Sequence, residues 1–527
     1  MSFIEFKDFN FRYEENTPLL NDINLKINEG DFVLVNGPSG SGKTTLLTHL
    51  KKELIPKGSK TGSVTYNETE IEDLNDLTSA CDIGYLFQNP DSQIVTDTVI
   101  QEIAFPLENI GEETEKIRNR LAEMVSFFKI KDILHKNVNE LSGGQKQLVN
   151  LCSLLVLKPK VLILDEPTSQ LDPIASYDFL TILRRLNEEF SITIILTDHK
   201  PDNIYPFVDK VVFLSDGKVI ANDKPSKITE TLFKSEDFRD YMPEVTNIYY
   251  FLKDKYPELE DYESPLSVRE ARKAISVLSD KLEHLEIREE SPNQKDEILR
   301  CKNVYFGYTK EDVFLSDVNF TAYKGDFISL IGGNGIGKST LLQIISGLIK
   351  PVKGKVKCDK KINISYVHQN PMVHFTKDRV SEELEGISKE LLDLFELNDL
   401  VSIHPYDCSG GEQQKIAIAK ALISKPEILI LDEPTKGLDP ISRKNLVSIL
   451  KKLQENGLTI IMASHDLSFI ANYCNRCMML FDGAIQLDTT PRFLFSNNSF
   501  YTTFTNRVIK DYIPNGVSLK DVYDKWI

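Results

Sequence analysis

A chain of 527 residues, at roughly 150 residues per domain, suggests three or four domains. Hydrophobic residues make up 41% and charged residues 27%, the balance of a folded globular protein and not of a disordered one. The formal net charge of −17 argues against a grip on nucleic acid through its phosphates, which asks for a basic surface.

No apolar run reaches the roughly 18 residues of a membrane span; the nearest, 151–164, is broken by Lys158, Pro159 and Lys160. The first residues, Met1-Ser2-Phe3-Ile4-Glu5, have neither the basic start nor the apolar centre of a signal peptide. An integral membrane protein is therefore excluded and export is not expected. The seven cysteines are scattered and odd in number, as for reduced thiols. Cys474 and Cys477 form a lone C-x-x-C with no second pair, so buried neutral thiols are expected there.

The first clear element is the short apolar strand Phe32-Val33-Leu34-Val35-Asn36, followed by Gly37-Pro38-Ser39-Gly40-Ser41-Gly42-Lys43-Thr44-Thr45 and a helix over 44–54. A glycine-rich loop between strand and helix lets backbone N–H groups curl around phosphates, aided by the positive end of the helix. Gly37, Ser39, Gly40, Gly42 and Thr45 would line the loop, Lys43 would reach the β- and γ-phosphates and Thr44 would ligate Mg²⁺. Further on, Leu141-Ser142-Gly143-Gly144-Gln145 precedes the apolar run Val161-Leu162-Ile163-Leu164, which ends in Asp165-Glu166. Asp165 is placed to hold Mg²⁺, and Glu166 to act as general base on an attacking water. His199 follows a strand over 191–197.

The chain is then written a second time. Gly332-Gly333-Asn334-Gly335-Ile336-Gly337-Lys338-Ser339-Thr340 follows strand 327–331, and Cys408-Ser409-Gly410-Gly411-Glu412 precedes Ile428-Leu429-Ile430-Leu431-Asp432-Glu433. His465 follows a strand over 458–464. Gly332, Asn334, Gly335, Gly337, Lys338, Ser339 and Thr340 repeat the nucleotide loop, Asp432 the metal ligand and Glu433 the base. The repeated spacing promotes His199 and His465 to γ-phosphate sensors. Ser142 follows Lys43 by 99 positions, whereas Ser409 follows Lys338 by 71. A segment that shrinks between intact flanks reads as a peripheral subdomain.

This divides the chain into a first nucleotide domain, 1–222, an appendage or linker, 223–297, a second nucleotide domain, 298–490, and a tail, 491–527. Positions 221–300 carry 19 acidic and 13 basic side chains. Residues 268–285 pattern as one amphipathic helix, and Ser291-Pro292-Asn293 breaks the chain after it. Tyr241, Met242, Tyr249, Tyr250, Phe251 and Leu252 favour a small packed appendage over a solvated linker.

Leu-Ser-Gly-Gly-Gln and its partner motifs resemble ATP-binding cassette (ABC) ATPase domains over nearly the whole chain. The resemblance implies an α/β fold: two P-loop domains, each with a core sheet flanked by helices, a helical subdomain and a C-terminal appendage. It also implies head-to-tail pairing, with Ser409, Gly410 and Gly411 facing ATP on Lys43, and Ser142, Gly143 and Gly144 facing ATP on Lys338. Tyr13 and Tyr308 match the aromatic that stacks on adenine. Gln88 and Gln369 match the glutamine that touches Mg²⁺ and joins the helical subdomain, and Asp172 and Asp439 the aspartate that communicates across the pair. ATP and Mg²⁺ are the implied cofactors. Two departures stand out: Cys408 begins the second signature, and the first histidine stands in Thr197-Asp198-His199-Lys200, whereas Ser464-His465-Asp466 follows the family's common pattern.

Phe87-Gln88-Asn89-Pro90-Asp91-Ser92-Gln93 and Asp198-His199-Lys200 are similar to ATPases of the energy-coupling factor (ECF) transporters; the second copy keeps only His368-Gln369-Asn370-Pro371. The implied function is the ATPase subunit of a vitamin- or metal-type importer, peripheral on the cytoplasmic membrane face. Its implied partners are a transmembrane coupling subunit and a small membrane substrate-binding protein, with no nucleic acid. The alternatives are a sugar-type importer ATPase and a soluble translation-factor ATPase. The acidic joining region disfavours the latter, and the lack of cysteine clusters disfavours recycling or repair proteins.

Overall fold

The computed structural model describes residues 3–13, 19–287, 296–309, 313–359, 361–499 and 501–526. It divides into two compact units, Met1–Pro243 and Glu244–Ile527.

In the first unit, five strands run parallel in the order Lys210–Ser215, Phe32–Asn36, Thr193–Thr197, Val161–Leu164, Ile83–Leu86, with Lys218–Asp223 antiparallel at one edge. Phe32–Asn36, Thr193–Thr197 and Val161–Leu164 are buried at every position. A strand covered on both faces has no use for alternating polarity, so such segments read as unbroken apolar runs. A second, antiparallel sheet is ordered Leu20–Ile27, Ile4–Arg12, Ser59–Tyr66, Thr69–Glu70. It closes a core over the nucleotide-loop helix with Phe6, Phe9, Leu46, Leu47 and Val212.

The second unit repeats this plan. Its parallel strands are ordered Ile364–Val367, Ile428–Asp432, Thr459–Ala463, Phe327–Ile331, Arg476–Phe481, with Ala484–Thr489 antiparallel at the edge. The antiparallel sheet holds three strands, Val313–Tyr323, Glu297–Gly307 and Lys353–Cys358. Among the described residues no helix is long and apolar enough to cross a membrane.

The length difference between the copies falls in two places. Gln88 follows Lys43 by 45 positions and Gln369 follows Lys338 by 31; Ser142 follows Gln88 by 54 and Ser409 follows Gln369 by 40. The first 14 residues correspond to strand Thr69–Glu70 and helix Asp76–Asp82, at the margin of the antiparallel sheet. The second 14 are lost from the helical region, where Val99–Asn109 and Thr114–Phe128 give way to Val380–Glu383 and Lys389–Phe395. Both losses spare the central sheet, because a strand removed there would unpair its neighbours' backbone groups.

The stretch 223–297 is shared between the units. Helix Pro225–Phe233 and the turn Glu236–Tyr241 pack in the first, where Phe213 meets Phe238 at 4.9 Å and Tyr241 at 5.6 Å. Helices Glu244–Lys253 and Val268–Ile275 join the tail helices Phe504–Ile509 and Leu519–Trp526 in the second. Glu244 is buried there, accepting from Ser468 Oγ at 2.7 Å and from the Thr505 hydroxyl.

The helix expected over 268–285 is shorter. Ser267 and Glu270 form a capping box at its start. It ends at Ile275, and one 3₁₀ turn, Ser276–Leu278, follows. Beyond it Leu285 N–H donates to Tyr512 O at 3.0 Å, so tail contacts replace helical bonds. The break expected at 291–293 lies outside the described residues.

Trp526, the chain's only tryptophan, is 3% exposed, donates Nε1–H to Glu283 O at 3.4 Å and packs edge-on against Tyr512. Trp526→Ala is expected to destabilise the second unit by about 3–5 kcal/mol. Urea unfolding followed by circular dichroism checks this; an unchanged midpoint would show that the tail does not contribute to the fold.

Candidate nucleotide sites

Each nucleotide loop leaves a fully buried strand and enters its helix through a left-handed glycine, Gly42 at φ 97° and Gly337 at φ 102°. Only glycine adopts that turn without steric cost. The Lys43 ammonium is 2.8 Å from both Gly37 O and Pro38 O, and Lys338 repeats the bonds to Gly332 O and Gly333 O at 2.9 and 3.0 Å. Ser41 Oγ is buried with no hydrogen-bond partner. Asn36 fixes the entrance: its Oδ1 accepts from Gly37 N–H at 2.8 Å and its Nδ2 donates to Tyr241 O at 2.9 Å.

Asp165 and Asp432 close their strands beside these lysines. Thr197 Oγ1 donates to Asp165 Oδ1 at 2.7 Å, whereas Asp432 accepts from Ser339 Oγ at 3.0 Å and Tyr366 OH at 3.1 Å. Burial pushes the Asp165 carboxyl above its ordinary value, partly offset by Thr197, Thr44 and Lys43.

The two glutamates have different neighbours. Glu166 accepts from Gln88 Nε2 at 2.6 Å and meets His199 Nε2 at 2.7 Å. Burial would raise its pKa, but His199, Lys43 and Gln88 outweigh that and hold it below the ordinary range. Glu433 meets His465 Nε2 at 3.3 Å, while that nitrogen also lies 3.0 Å from Lys338 Nζ. Burial prevails at Glu433 and raises its pKa, with Lys338 and Lys436 offsetting only part.

Ser142 and Ser409 are exposed N-caps of the 13-residue helices Gly143–Leu155 and Gly410–Leu422, in capping boxes with Gln145 and Glu412. Their orphan N–H groups make an anion-receptive end. Asp172 and Asp439 cap helices Pro173–Phe190 and Pro440–Glu455. Tyr13 and Tyr308, 39% and 68% exposed, stand beside the loops with hydroxyls 3.4 and 3.3 Å from Thr45 and Thr340 Oγ1.

Several contributors escaped sequence reasoning. Lys146 and Asn150, on the first signature helix, hold the glutamine loop: Lys146 Nζ to Asp91 Oδ1 at 2.6 Å, Asn150 Nδ2 to Pro90 O at 2.9 Å. The second copy has Met372, Gln413 and Ala417 at the matching positions, so the whole set is replaced together. Thr197 and Asp198 were legible only as departures between the copies, and Thr168, which the second copy repeats as Thr435, gave no signal of its own. Cys474 and Cys477 are buried free thiols, raised in pKa by burial, and the described residues contain no metal-type cluster of His, Cys, Asp and Glu.

The residues fit a Mg²⁺-bound nucleoside triphosphate. Each site offers a lysine ammonium, a left-handed glycine cradle and a hydroxyl beside a carboxylate, the donor set that hard cations and phosphates take. Two α/β units so equipped define a tandem P-loop ATPase. Residues 20–169 and 315–436 match the family described as ABC transporter. A Bacillus anthracis protein described as an ABC transporter ATP-binding protein is 42% identical over 99% of this chain and 98% of its own length. One from Methanosarcina acetivorans, with the same description, is 30% identical over 94% of this chain and 85% of its own. Among solved structures, RNase-L inhibitor shares the fold, with a TM-score of 0.61 at 22% identity over 98% of both chains. The chain belongs to the ABC transporter ATP-binding family. It is an ATPase with two cassettes.

Proposed function

We propose that this chain energises an importer of the energy-coupling factor type, docking on a transmembrane coupling subunit that works with a small membrane substrate-binding protein. The substrate class in this reading is a vitamin, a vitamin precursor or a metal ion, and the chain lies at the cytoplasmic membrane face through its partners. The observation that carries the reading is the Gln88-to-Gln93 loop, with Asp91 tied to Lys146 and Gln93 Oε1 accepting from Phe87 N–H at 3.2 Å. A docked segment pressing on this loop would move the signature helix with it. The helical region also carries a groove of 640 Å³, lined by Ile100, Leu121, Ala122, Val125, Arg118 and Lys129, and in this reading an amphipathic coupling helix lies in it.

In this reading each cassette pairs with the other's signature. Ser409, Gly410 and Gly411 complete the site on Lys43, and Ser142, Gly143 and Gly144 the site on Lys338. Tyr13 and Tyr308 stack on adenine, and Asp172 and Asp439 relay between the halves. Thr44, Gln88 and Asp165 hold Mg²⁺ in the first site, and Ser339, Gln369 and Asp432 in the second; the ion supplies neutralisation of phosphate charge. Glu166 and Glu433 accept the proton of the attacking water, while His199 and His465 hold the glutamates and sense the γ-phosphate.

Purifying the native complex and identifying its membrane partners tests this. A coupling subunit with a small substrate-binding membrane protein is expected. Recovery of ribosomes, or of paired sugar permeases alone, would overturn it. Grafting residues 89–141 in place of 370–408 is expected to impair assembly, because the two cassettes then present equal docking faces; intact assembly would speak against non-equivalent docking.

A further inference from the structure

Three consecutive residues at the end of strand Thr193–Thr197 grip the segment that carries the metal-binding and water-activating carboxyls of the first cassette. Thr197 Oγ1 accepts from Glu166 N–H at 2.9 Å and donates to Asp165 Oδ1 at 2.7 Å. Asp198 Oδ2 accepts from Thr168 Oγ1 at 2.5 Å, and its Oδ1 accepts from Lys200 N–H at 2.8 Å. His199 Nε2 lies 2.7 Å from Glu166 Oε1. Thr197 is 0% and Asp198 4% exposed, so water does not compete for these bonds.

The second cassette lacks the grip. Ala463 has no hydroxyl, and Glu433 N–H donates to its carbonyl at 3.1 Å instead. Ser464 Oγ accepts from Asp466 N–H at 3.1 Å, the counterpart of the Asp198–Lys200 bond, but a serine has no second carboxylate oxygen to take the place of Asp198 Oδ2. Both glutamates sit in the left-handed region, Glu166 at φ 44° and Glu433 at φ 48°, so each needs an external hold on its backbone. Only in the first cassette does one hydroxyl hold that backbone and the neighbouring aspartate together.

We propose that Thr197 and Asp198 are positioning residues for ATP hydrolysis in the first cassette, and that they make its site the faster of the two. Fixing Asp165, Glu166 and Thr168 to one strand end orients both carboxyls before the chemical step. A group held in place contributes to the rate without being reoriented at each turnover. The proposal rests on Glu166 as the base of the first site.

The test uses the full-length protein with Thr197→Val, Thr197→Ala and Thr197→Ser, and with Glu166→Gln as control. Thr197→Ala installs the second cassette's own residue, so the comparison does not depend on the valine variant folding. Three readouts are taken: kcat and KM for ATP, the melting temperature, and the electron paramagnetic resonance spectrum of Mn²⁺ bound with a non-hydrolysable ATP analogue. Thr197→Val and Thr197→Ala are expected to lower kcat about tenfold, with KM within about twofold. They should also broaden the Mn²⁺ spectrum, while Thr197→Ser, which keeps the hydroxyl, restores kcat to within about threefold. Unchanged kcat in the valine and alanine variants, an unaltered spectrum, or failure of serine to restore the rate would overturn the proposal. If Glu166→Gln itself keeps most of the activity, the assignment of the base fails first; if it loses most of the activity while the Thr197 variants are fast, only the positioning role fails.

Discussion

The double variant Glu166→Gln/Glu433→Gln is expected to bind ATP yet hydrolyse it at least about a hundredfold more slowly than the unaltered protein. Glutamine keeps the size and the hydrogen-bonding edge of the side chain but cannot accept the water's proton. The single variants should be unequal. Glu166, with its pKa held below the ordinary range by His199, Lys43 and Gln88 despite burial, is an ionised carboxylate across neutral pH. Glu433, its pKa raised by burial, loses carboxylate at a higher pH as acid is added. Glu166→Gln should therefore cost more of the total rate than Glu433→Gln. The activity left in Glu166→Gln should also fall off at higher pH on its acid side than that left in Glu433→Gln. Steady-state phosphate release against pH, with retention of radiolabelled ATP as the binding control, decides the matter. A double variant that kept most of its ATPase activity would show that the bases are misassigned.

Gly37→Ala should unfold or badly destabilise the first cassette. A Cβ there would lie 1.9 Å from Leu214 O, a backbone atom of the central sheet with no freedom to move aside. Gly37 also has φ 144°, a conformation that L side chains rarely adopt. Overpacking and backbone strain together are expected to cost about 3 kcal/mol or more. Gly333→Ala, by contrast, meets nothing within 4 Å and has no positive φ, so it should leave stability within about 0.5 kcal/mol. Thermal unfolding of both variants, with ATP binding, measures the difference. Equal melting temperatures would mean that the close approach of loop and strand is not part of the folded state.

Most of the site was legible in one dimension because its parts are local. A buried strand, a glycine loop and a helix start are contiguous in the chain, and the physical demands on each are strong enough to show as residue types. The same holds for the capped signature helices and for the apolar strands ending in Asp-Glu. The duplication made each motif its own control. Less legible were contacts made by residues distant in sequence. Lys146 reaches Asp91 across 55 positions and Thr197 reaches Asp165 across 32, and neither pairing has a periodic signature. The 268–285 pattern misled for a related reason: helical periodicity reports which faces are apolar, not where backbone donors find a better partner in the tail.

By itself, then, the sequence determined that this protein is two ATPase domains of α/β fold, and it pointed to the candidate residues of each loop, carboxylate pair and signature. Those features depend on local backbone conformation and on burial, which composition and spacing encode directly. Only the tertiary structure decided how the 28-residue difference is shared between sheet margin and helical region. It also decided that residues 244–287 pack with the tail, and that the two glutamates sit in unlike surroundings. A pKa or a clamp is set by groups that meet only after the strands have ordered, and no linear spacing records which of them will be neighbours.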